Sequence, residues 1–126
     1  MTITQVSEQY GITPDTLRYY ERVGMIPPVN RNAAGIREYT EQDLKWVELA
    51  ICMRSAGLPV EVLVTYVRLF REGDGTIRDR LKLLTDQREQ LLAQRDRIDS
   101  TLQRLEVKIK HYEIAAETGV LSWEKE

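Results

Sequence analysis

The sequence predicts a mainly α-helical protein with a small N-terminal head and one long C-terminal helix. Three observations indicate this fold class. Apolar residues recur at helical spacing, capping residues such as Thr13 and Thr40 precede these segments, and no glycine or proline interrupts residues 76–113. A chain of 126 residues has the length of about one domain, or of a small domain with an extension.

The first two predicted helices are short and lie close together in the chain. Thr2 and Gln5 fit a capping box at the start of a helix that runs to about Tyr10. A glycine-containing turn follows, and the N-cap Thr13 begins a second helix that ends at Gly24. This spacing is typical of a helix-turn-helix, in which the second helix enters the major groove of DNA.

The second helix has two different faces. Leu17 and Tyr20 fall on one face, where they are expected to pack, whereas Thr16, Arg18 and Tyr19 point elsewhere. Guanidinium, phenol and hydroxyl groups make the hydrogen bonds with which proteins contact DNA phosphates and base edges. A solvated helix surface with no ligand is the alternative interpretation of these residues alone.

Residues 29–39 predict a small hairpin, or wing, after the second helix. Pro27 and Pro28 stop the helix, and short extended runs then flank a turn-rich centre. Arg31 and Arg37 lie on the two arms. Beside a recognition helix they would meet the phosphate backbone, but a solvated loop with incidental arginines fits the pattern equally well.

Two further helices complete the predicted head. Thr40 caps a third helix over residues 41–56, and a fourth runs from about Pro59 to Arg71. The expected apolar positions of the third helix are Leu44, Val47, Leu49, Ile51 and Met53. The break at residues 72–75, with two glycines and two acids, divides the chain into a DNA-binding domain, 1–74, and a helical domain with a short tail, 75–126.

The long helix carries a heptad pattern that predicts self-association. Arg88, Arg95 and Tyr112 share the pattern with eight apolar residues, Ile77, Leu81, Leu84, Leu91, Ile98, Leu102, Leu105 and Ile109. A lone helix with such a stripe, about 57 Å long at 1.5 Å per residue, does not stay single in water. We therefore expect the same helix of a second copy as its partner, with parallel and antiparallel pairing both open.

Composition and charge exclude several classes of function. The net charge is −2, so any positive surface must come from arrangement rather than from a surplus of basic residues. With one cysteine, Cys52, and one histidine, His111, no clustered metal site, intrachain disulfide or nucleophile–base pair is expected. We expect no cofactor, no enzymatic activity and no membrane span, and we expect a cytoplasmic location.

Three motifs in this order, TLRYYERVGMIPP, GIREYTEQDLKWVE and CMRSAGL, resemble the MerR family of bacterial transcription regulators. The resemblance covers nearly the whole chain. It implies a dimer with winged helix-turn-helix heads and an antiparallel coiled coil, which bends and untwists promoters with overlong spacers so that RNA polymerase can use them. The DNA contacts that it implies are Thr16, Arg18, Tyr19, Tyr20, Arg31, Arg37 and Arg54.

The resemblance also suggests what is sensed. Metal-sensing members carry cysteines at the start of the coiled-coil helix and in a loop after it, and residues 76–80 and 117–126 of this chain contain none. CMRSAGL is similar to the branch that responds to aldehydes or nitric-oxide-derived electrophiles through one cysteine, here Cys52. A small buried hydrophobic residue is the other interpretation of Cys52. For the whole protein, the alternative function is a coiled-coil adaptor whose head binds protein.

Overall fold

The computed structural model describes residues 1–121, and these form a mainly α-helical fold. The chain divides into two compact units, Met1–Gln87 and Arg88–Glu126. The helical elements are α1 (Ile3–Tyr10), α2 (Pro14–Val23), α3 (Glu41–Ser55), α4 (Val60–Glu72), a 3₁₀ turn (Asp74–Thr76) and α5 (Ile77–Thr118). The predicted fold class, with a helix-turn-helix head, a small wing and a long C-terminal helix, is confirmed.

The caps of α1 and α2 explain why these helices begin and end where the sequence predicts. The side chains of Thr2 and Gln5 form both bonds of the capping box at α1, and the hydroxyl of Thr13 accepts the N–H of Thr16 at α2. Gly11 and Gly24 end the two helices in the left-handed conformation, at φ 69° and 89°. Glycine adopts this conformation without a steric penalty, so the turn between the helices is encoded locally.

The core of the first unit draws on α1 to α4. The largest fully buried side chains are Val6, Leu17, Met25, Ile26, Val47 and Leu63. On α3, Leu44, Leu49, Ile51 and Met53 are half-buried and pack against this core. Trp46 and Ala50 are buried with Val47. Because the apolar residues of α3 are distributed around all sides of the helix, its sequence pattern does not identify the buried face.

The wing is small and held by few backbone hydrogen bonds. Arg31 and Arg37 form an isolated antiparallel bridge, and no longer strand occurs within residues 1–121. Asn32 donates its N–H to the carbonyl of Ile36 at 2.8 Å, and its side chain accepts two further N–H groups of the turn. A hairpin of this length needs support from neighbouring elements to keep its shape.

That support comes from Glu21 on α2. One carboxylate oxygen of Glu21 lies 2.6 Å from Nε of Arg37, and the other accepts the N–H of Val29 at 3.2 Å. The two charged side chains are only 15% and 19% exposed. We call this group the wing latch, since it joins α2 to both arms of the wing.

The link between α4 and α5 is held by hydrogen bonds. The hydroxyl of Thr76 donates to the carbonyl of Leu69 at 2.6 Å, and Nη2 of Arg80 donates to the carbonyl of Gly73 at 3.1 Å. The guanidinium of Arg80 also lies over the ring of Phe70. The predicted domain boundary after residue 74 falls in this link and stays a prediction. The predicted second domain, residues 75–126, also stays a prediction, and its last residues, 122–126, lie outside the described part of the chain.

Helix α5 is longer than the sequence analysis predicted. It does not stop near Glu113 but continues to Thr118, and Gly119 follows at φ 77°. At 1.5 Å per residue its 42 residues span about 63 Å. No residue of α5 is buried within the chain. Seven of the eight predicted apolar heptad residues are between 36% and 64% exposed: Ile77, Leu81, Leu91, Ile98, Leu102, Leu105 and Ile109.

Replacing Tyr39 by phenylalanine is expected to stabilise the protein. The Tyr39 hydroxyl is buried and finds no hydrogen-bond partner among the described residues. Removing it relieves the cost of burying an unsatisfied polar group, so the free energy of unfolding at pH 7 should rise by up to about 1 kcal/mol. Denaturant unfolding at a fixed protein concentration measures this change.

Alkaline pH should widen the difference between Tyr39→Phe and the wild type. Burial raises the pKa of Tyr39 above its ordinary value of 10.0. Above that pH the unfolded tyrosine ionises first, so the wild type loses stability as pH rises and the variant is spared this loss. The control is Tyr10→Phe, which removes an exposed hydroxyl that donates to Glu48 at 2.6 Å and should destabilise slightly. Equal effects of the two variants would contradict the prediction.

Breaking the wing latch is expected to destabilise the head. Glu21→Gln leaves Arg37 without a counter-ion in a poorly solvated position, which should lower the free energy of unfolding by about 2 kcal/mol. The control is Asp86→Asn, which removes an exposed pair with Lys82 at 2.9 Å and should cost less than about 0.5 kcal/mol. Losses of similar size would show that the latch is no stronger than a surface pair.

Candidate nucleic-acid interface

Helix α2 is anchored from one side only. Leu17 is fully buried and Tyr20 is 8% exposed, and both belong to the core of the first unit. Residues three apart share a face of a helix, so the intervening residues Arg18 and Tyr19 are directed away from that core and are exposed. The packed face therefore fixes which side chains α2 can present to a ligand.

The outward side chains of α2 combine charge with aromatic and hydroxyl groups. Nη1 of Arg18 lies 2.7 Å from Oδ1 of Asp15, and the guanidinium of Arg22 lies 5.5 Å from the ring centre of Tyr19. The Thr16 hydroxyl is half-buried and is 2.9 Å from that of Thr13, within the N-terminal cap. Of these groups, Arg18 and Tyr19 have the greatest freedom to contact a phosphate.

Tyr20 does not belong to this outward group. Its ring lies in the core, and burial raises its pKa while the charge of Arg54 lowers it in part. The packing role that its spacing with Leu17 predicts is confirmed. The structure gives no support to the DNA contact that the family resemblance implied for Tyr20, since a buried ring offers at most its hydroxyl edge to a ligand.

The two wing arginines differ in environment. Arg31 is exposed, and its Nη1 donates to the carbonyl of Gly35 at 3.0 Å within the wing turn. Arg37 is engaged in the wing latch with Glu21 and is largely buried. The sequence pattern makes the two residues equivalent phosphate contacts. In the structure Arg31 is available for that role, whereas Arg37 mainly holds the wing on α2.

Glu21 is the residue of this site that the sequence analysis missed. From the sequence it is only one of the acids that balance the arginines of the head. A signal was present, because Glu21 lies four residues after Leu17 and therefore on the packed side of α2, where an acid needs a partner. Nothing in the spacing identified Arg37, sixteen residues later, as that partner.

The C-terminal turn of α3 places Arg54 and Cys52 near each other in the chain but with different surroundings. Nη1 of Arg54 donates to the carbonyl of Leu58 and so supports the turn after α3. Cys52 is exposed, so its interpretation as a buried hydrophobic residue is wrong. Two cations that could favour a thiolate in this region have other partners: Arg54 donates to the carbonyl of Leu58, and Nε of Arg68 lies 3.7 Å from Oε2 of Glu72.

Other kinds of site find little support in the described chain. Within residues 1–121 no cluster of three or more His, Cys, Asp or Glu side chains is arranged to hold a metal ion. In the same residues no helix is both long enough and apolar enough to cross a membrane. The outward face of α2, the wing and the exposed stripe of α5 are therefore the surfaces that remain to be explained.

Comparison with known proteins identifies the family. Residues 1–69 match the family model described as MerR HTH family regulatory protein. The transcriptional regulator AdhR of Bacillus subtilis is 54% identical over 92 residues, which cover 73% of this chain and 66% of that protein. These relatives are transcriptional regulators, in agreement with the expectation of a protein that is not an enzyme.

Two solved structures extend the similarity to most of the chain. A Listeria monocytogenes protein assigned to the MerR family has 42% identity and a TM-score of 0.89, with 94% of this chain and 92% of that one covered. HiNmlR, a MerR family regulator lacking the sensor domain and bound to promoter DNA, has 31% identity and a TM-score of 0.86, with 94% of both chains covered. With its anchored α2, its wing and its long α5, this chain belongs to the MerR family of helix-turn-helix transcriptional regulators.

Proposed function

We propose that the protein binds promoter DNA as a dimer and regulates transcription by deforming that DNA. The observation that carries this proposal is the one-sided anchoring of α2, which leaves Arg18 and Tyr19 exposed on a helix of the helix-turn-helix. The similarity to HiNmlR, whose structure contains promoter DNA, supports it. A cytoplasmic location would follow, since that is where a bacterial promoter lies.

The proposed contacts divide by element. Arg18 and Tyr19 would contact the DNA from α2, with Thr16 beside them, and Arg31 would meet a phosphate from the wing. Arg54 would add a contact from the last turn of α3 once its hydrogen bond to the carbonyl of Leu58 breaks. Phosphate contacts of this kind position the protein, whereas base-edge contacts give sequence preference.

The electrostatics favour a modest affinity. Asp15 holds Arg18 in an exposed pair at 2.7 Å, which a phosphate could replace at low cost because exposed pairs contribute little to stability. Glu21 neutralises Arg37 in the wing latch. Before DNA binds, Asp15 and Glu21 therefore neutralise Arg18 and Arg37. Such pairing is consistent with a chain whose net charge is −2.

The dimer would form through α5, because its apolar stripe has no cover within the chain. Two paired helices would carry two heads, and each head would read one half of a symmetric operator. On a promoter whose spacer is too long, the dimer would bend and untwist the DNA. This deformation would align the two promoter elements that RNA polymerase recognises. The elastic cost of that deformation would be offset by protein contacts along the DNA backbone.

Cys52 is the proposed switch. Its thiol is exposed on the last turn of α3 and therefore accessible to small electrophiles. With an aldehyde, the thiolate would attack the carbonyl carbon, and the resulting oxygen anion would take up a proton to give a hemithioacetal. A new group at this turn would bias the dimer between two arrangements on DNA. The similarity to AdhR extends through this part of the chain, and the CMRSAGL motif supports the proposal.

DNA binding should fall steeply with salt and should depend on Arg18. Each phosphate contact releases counter-ions, so Arg18→Ala should weaken binding to all sequences and reduce the slope of log affinity against log salt by about 1. Fluorescence anisotropy with promoter DNA at several salt concentrations measures this slope. Arg104→Ala, which removes the same charge from α5, is the control. Salt-independent behaviour, or no DNA binding at all, would favour the adaptor alternative.

Cys52→Ser should bind the promoter as the wild type does but should lose induction by electrophiles. Transcription in vitro from a promoter with an overlong spacer, with and without an aldehyde, measures this. Ser55→Ala is the control, because it removes the hydroxyl that donates to the Cys52 carbonyl at 2.8 Å and leaves the thiol in place. Full induction of the Cys52→Ser variant would rule out the sensor role while leaving the DNA-binding proposal intact.

A further inference from the structure

Two arginines interrupt the apolar stripe of α5. We label its heptad positions so that Leu91 and Ile98 occupy position d and Leu102 occupies position a; Arg88 and Arg95 then also occupy position a. Their side chains are 66% and 64% exposed, and the acid that each contacts is the next residue in the chain, Glu89 or Asp96, with N–O distances of 3.4 Å. Such neighbours point about 100° apart around a helix and are poor partners. Asp99 lies four residues after Arg95, but no ion pair joins them within the described chain.

Acids occur on one flank of this stripe and not on the other. Position e adjoins position a on the helix surface, and it holds Asp99, Glu106 and Glu113. Position g adjoins position d on the opposite flank, and it holds no acid: its residues are Arg80, Gln87, Gln94, Thr101, Lys108 and Ala115. Within the described chain no ion pair engages Asp99 or Glu106.

This asymmetry favours the antiparallel pairing that the family resemblance implies. In a parallel dimer each a residue faces its own copy and lies beside position g of the partner, so Arg88 would meet Arg88 and Arg95 would meet Arg95 with no acid nearby. In an antiparallel dimer each a residue faces position d and lies beside position e of the partner. The arginines then meet aliphatic side chains, and acids lie next to them.

We propose that Arg95 pairs with Asp99 of the partner subunit, and Arg88 with Glu106 of the partner subunit, and that these contacts set the register of an antiparallel α5 dimer. In this register Arg95 faces the partner's Ile98 and Arg88 faces the partner's Leu105. The two-fold axis repeats each pair, which gives four ion pairs in one dimer. The inference rests on the α5 dimer of the proposed function and adds its geometry.

Registers shifted by one heptad lose either an ion pair or cover for the apolar stripe. A shift in one direction places Arg95 beside the partner's Leu92, which offers no acid. A shift in the other direction gives both arginines an acid, the partner's Glu106 for Arg95 and the partner's Glu113 for Arg88, but it places Leu81 opposite the partner's Gly119, past the end of α5. The proposed register pairs both arginines and also covers the stripe over its whole length.

The long arginine stems suit this arrangement. Their methylene groups can cover the partner's Ile98 and Leu105 while the guanidinium extends to the rim of the interface, where water reaches it. Partial solvation limits the cost of placing a charge beside an apolar stripe. The contribution of these pairs is therefore expected mainly in the choice between pairings rather than in total affinity.

Charge exchange in the full-length chain tests the pairing. Asp99→Arg and Arg95→Glu should each raise the dimer dissociation constant, measured by sedimentation equilibrium, by about tenfold or more, because each creates like-charge contacts twice per dimer. The double variant Arg95→Glu/Asp99→Arg should return to within about threefold of wild type. Arg97→Glu, an equal charge change at the outward position c, is the control. No recovery in the double variant would overturn the pairing.

Cross-linking tests the register independently. In a Cys52→Ser background, Leu91→Cys/Leu102→Cys should form interchain disulfides on mild oxidation, since these positions face each other in the proposed register. Cross-linking of Leu91→Cys alone would indicate a parallel dimer, and cross-linking of Leu91→Cys/Ile109→Cys would indicate a shifted register. Either result would overturn the inference and leave the proposed function standing. A monomeric wild-type chain would overturn both.

Discussion

The constraint on which the protein depends is the uncovered stripe of α5. A helix of 42 residues has no buried side chain within its own chain, yet carries aliphatic residues at heptad spacing along most of its length. In water such a surface is unstable until another apolar surface covers it. Every functional proposal made above, from reading two half-sites to deforming a promoter, requires that cover to come from a second copy, because only then do two heads act on one DNA.

The first unit solves a different problem, which is to hold a helix rigidly while leaving one of its faces open. Leu17 and Tyr20 anchor one face of α2 in the core. Glu21, near the C-terminal end of α2, joins this helix to the wing. Glu21 therefore has a structural role, because its charge pairs with Arg37. The neutral Glu21–Arg37 pair adds nothing to the positive surface of the head.

Local signals made most of the fold predictable. Caps at Thr2, Thr13 and Thr40, and glycines at positions 11 and 24, fixed the helix ends because their effects act within one turn. The failures involve contacts between distant residues. The burial of Trp46 depends on Tyr66 and Phe70 in α4, and the role of Arg37 depends on Glu21. Neither dependence leaves a trace in periodicity. The position of Tyr20 was predictable from its spacing with Leu17, whereas the DNA contact that the family motif implied for it stays a prediction.

The arginines within the heptad stripe of α5 bear on whether the chain would dimerise with other members of its family. A bacterium that makes several regulators of this family exposes each long helix to the others during synthesis, and purely aliphatic stripes would combine indiscriminately. A cation at two heptad positions is poorly tolerated opposite any helix that lacks acids at the matching rim sites. The chain would thereby have a somewhat less stable homodimer but a more specific one. Such specificity would keep heterodimers from binding the operators of other regulators.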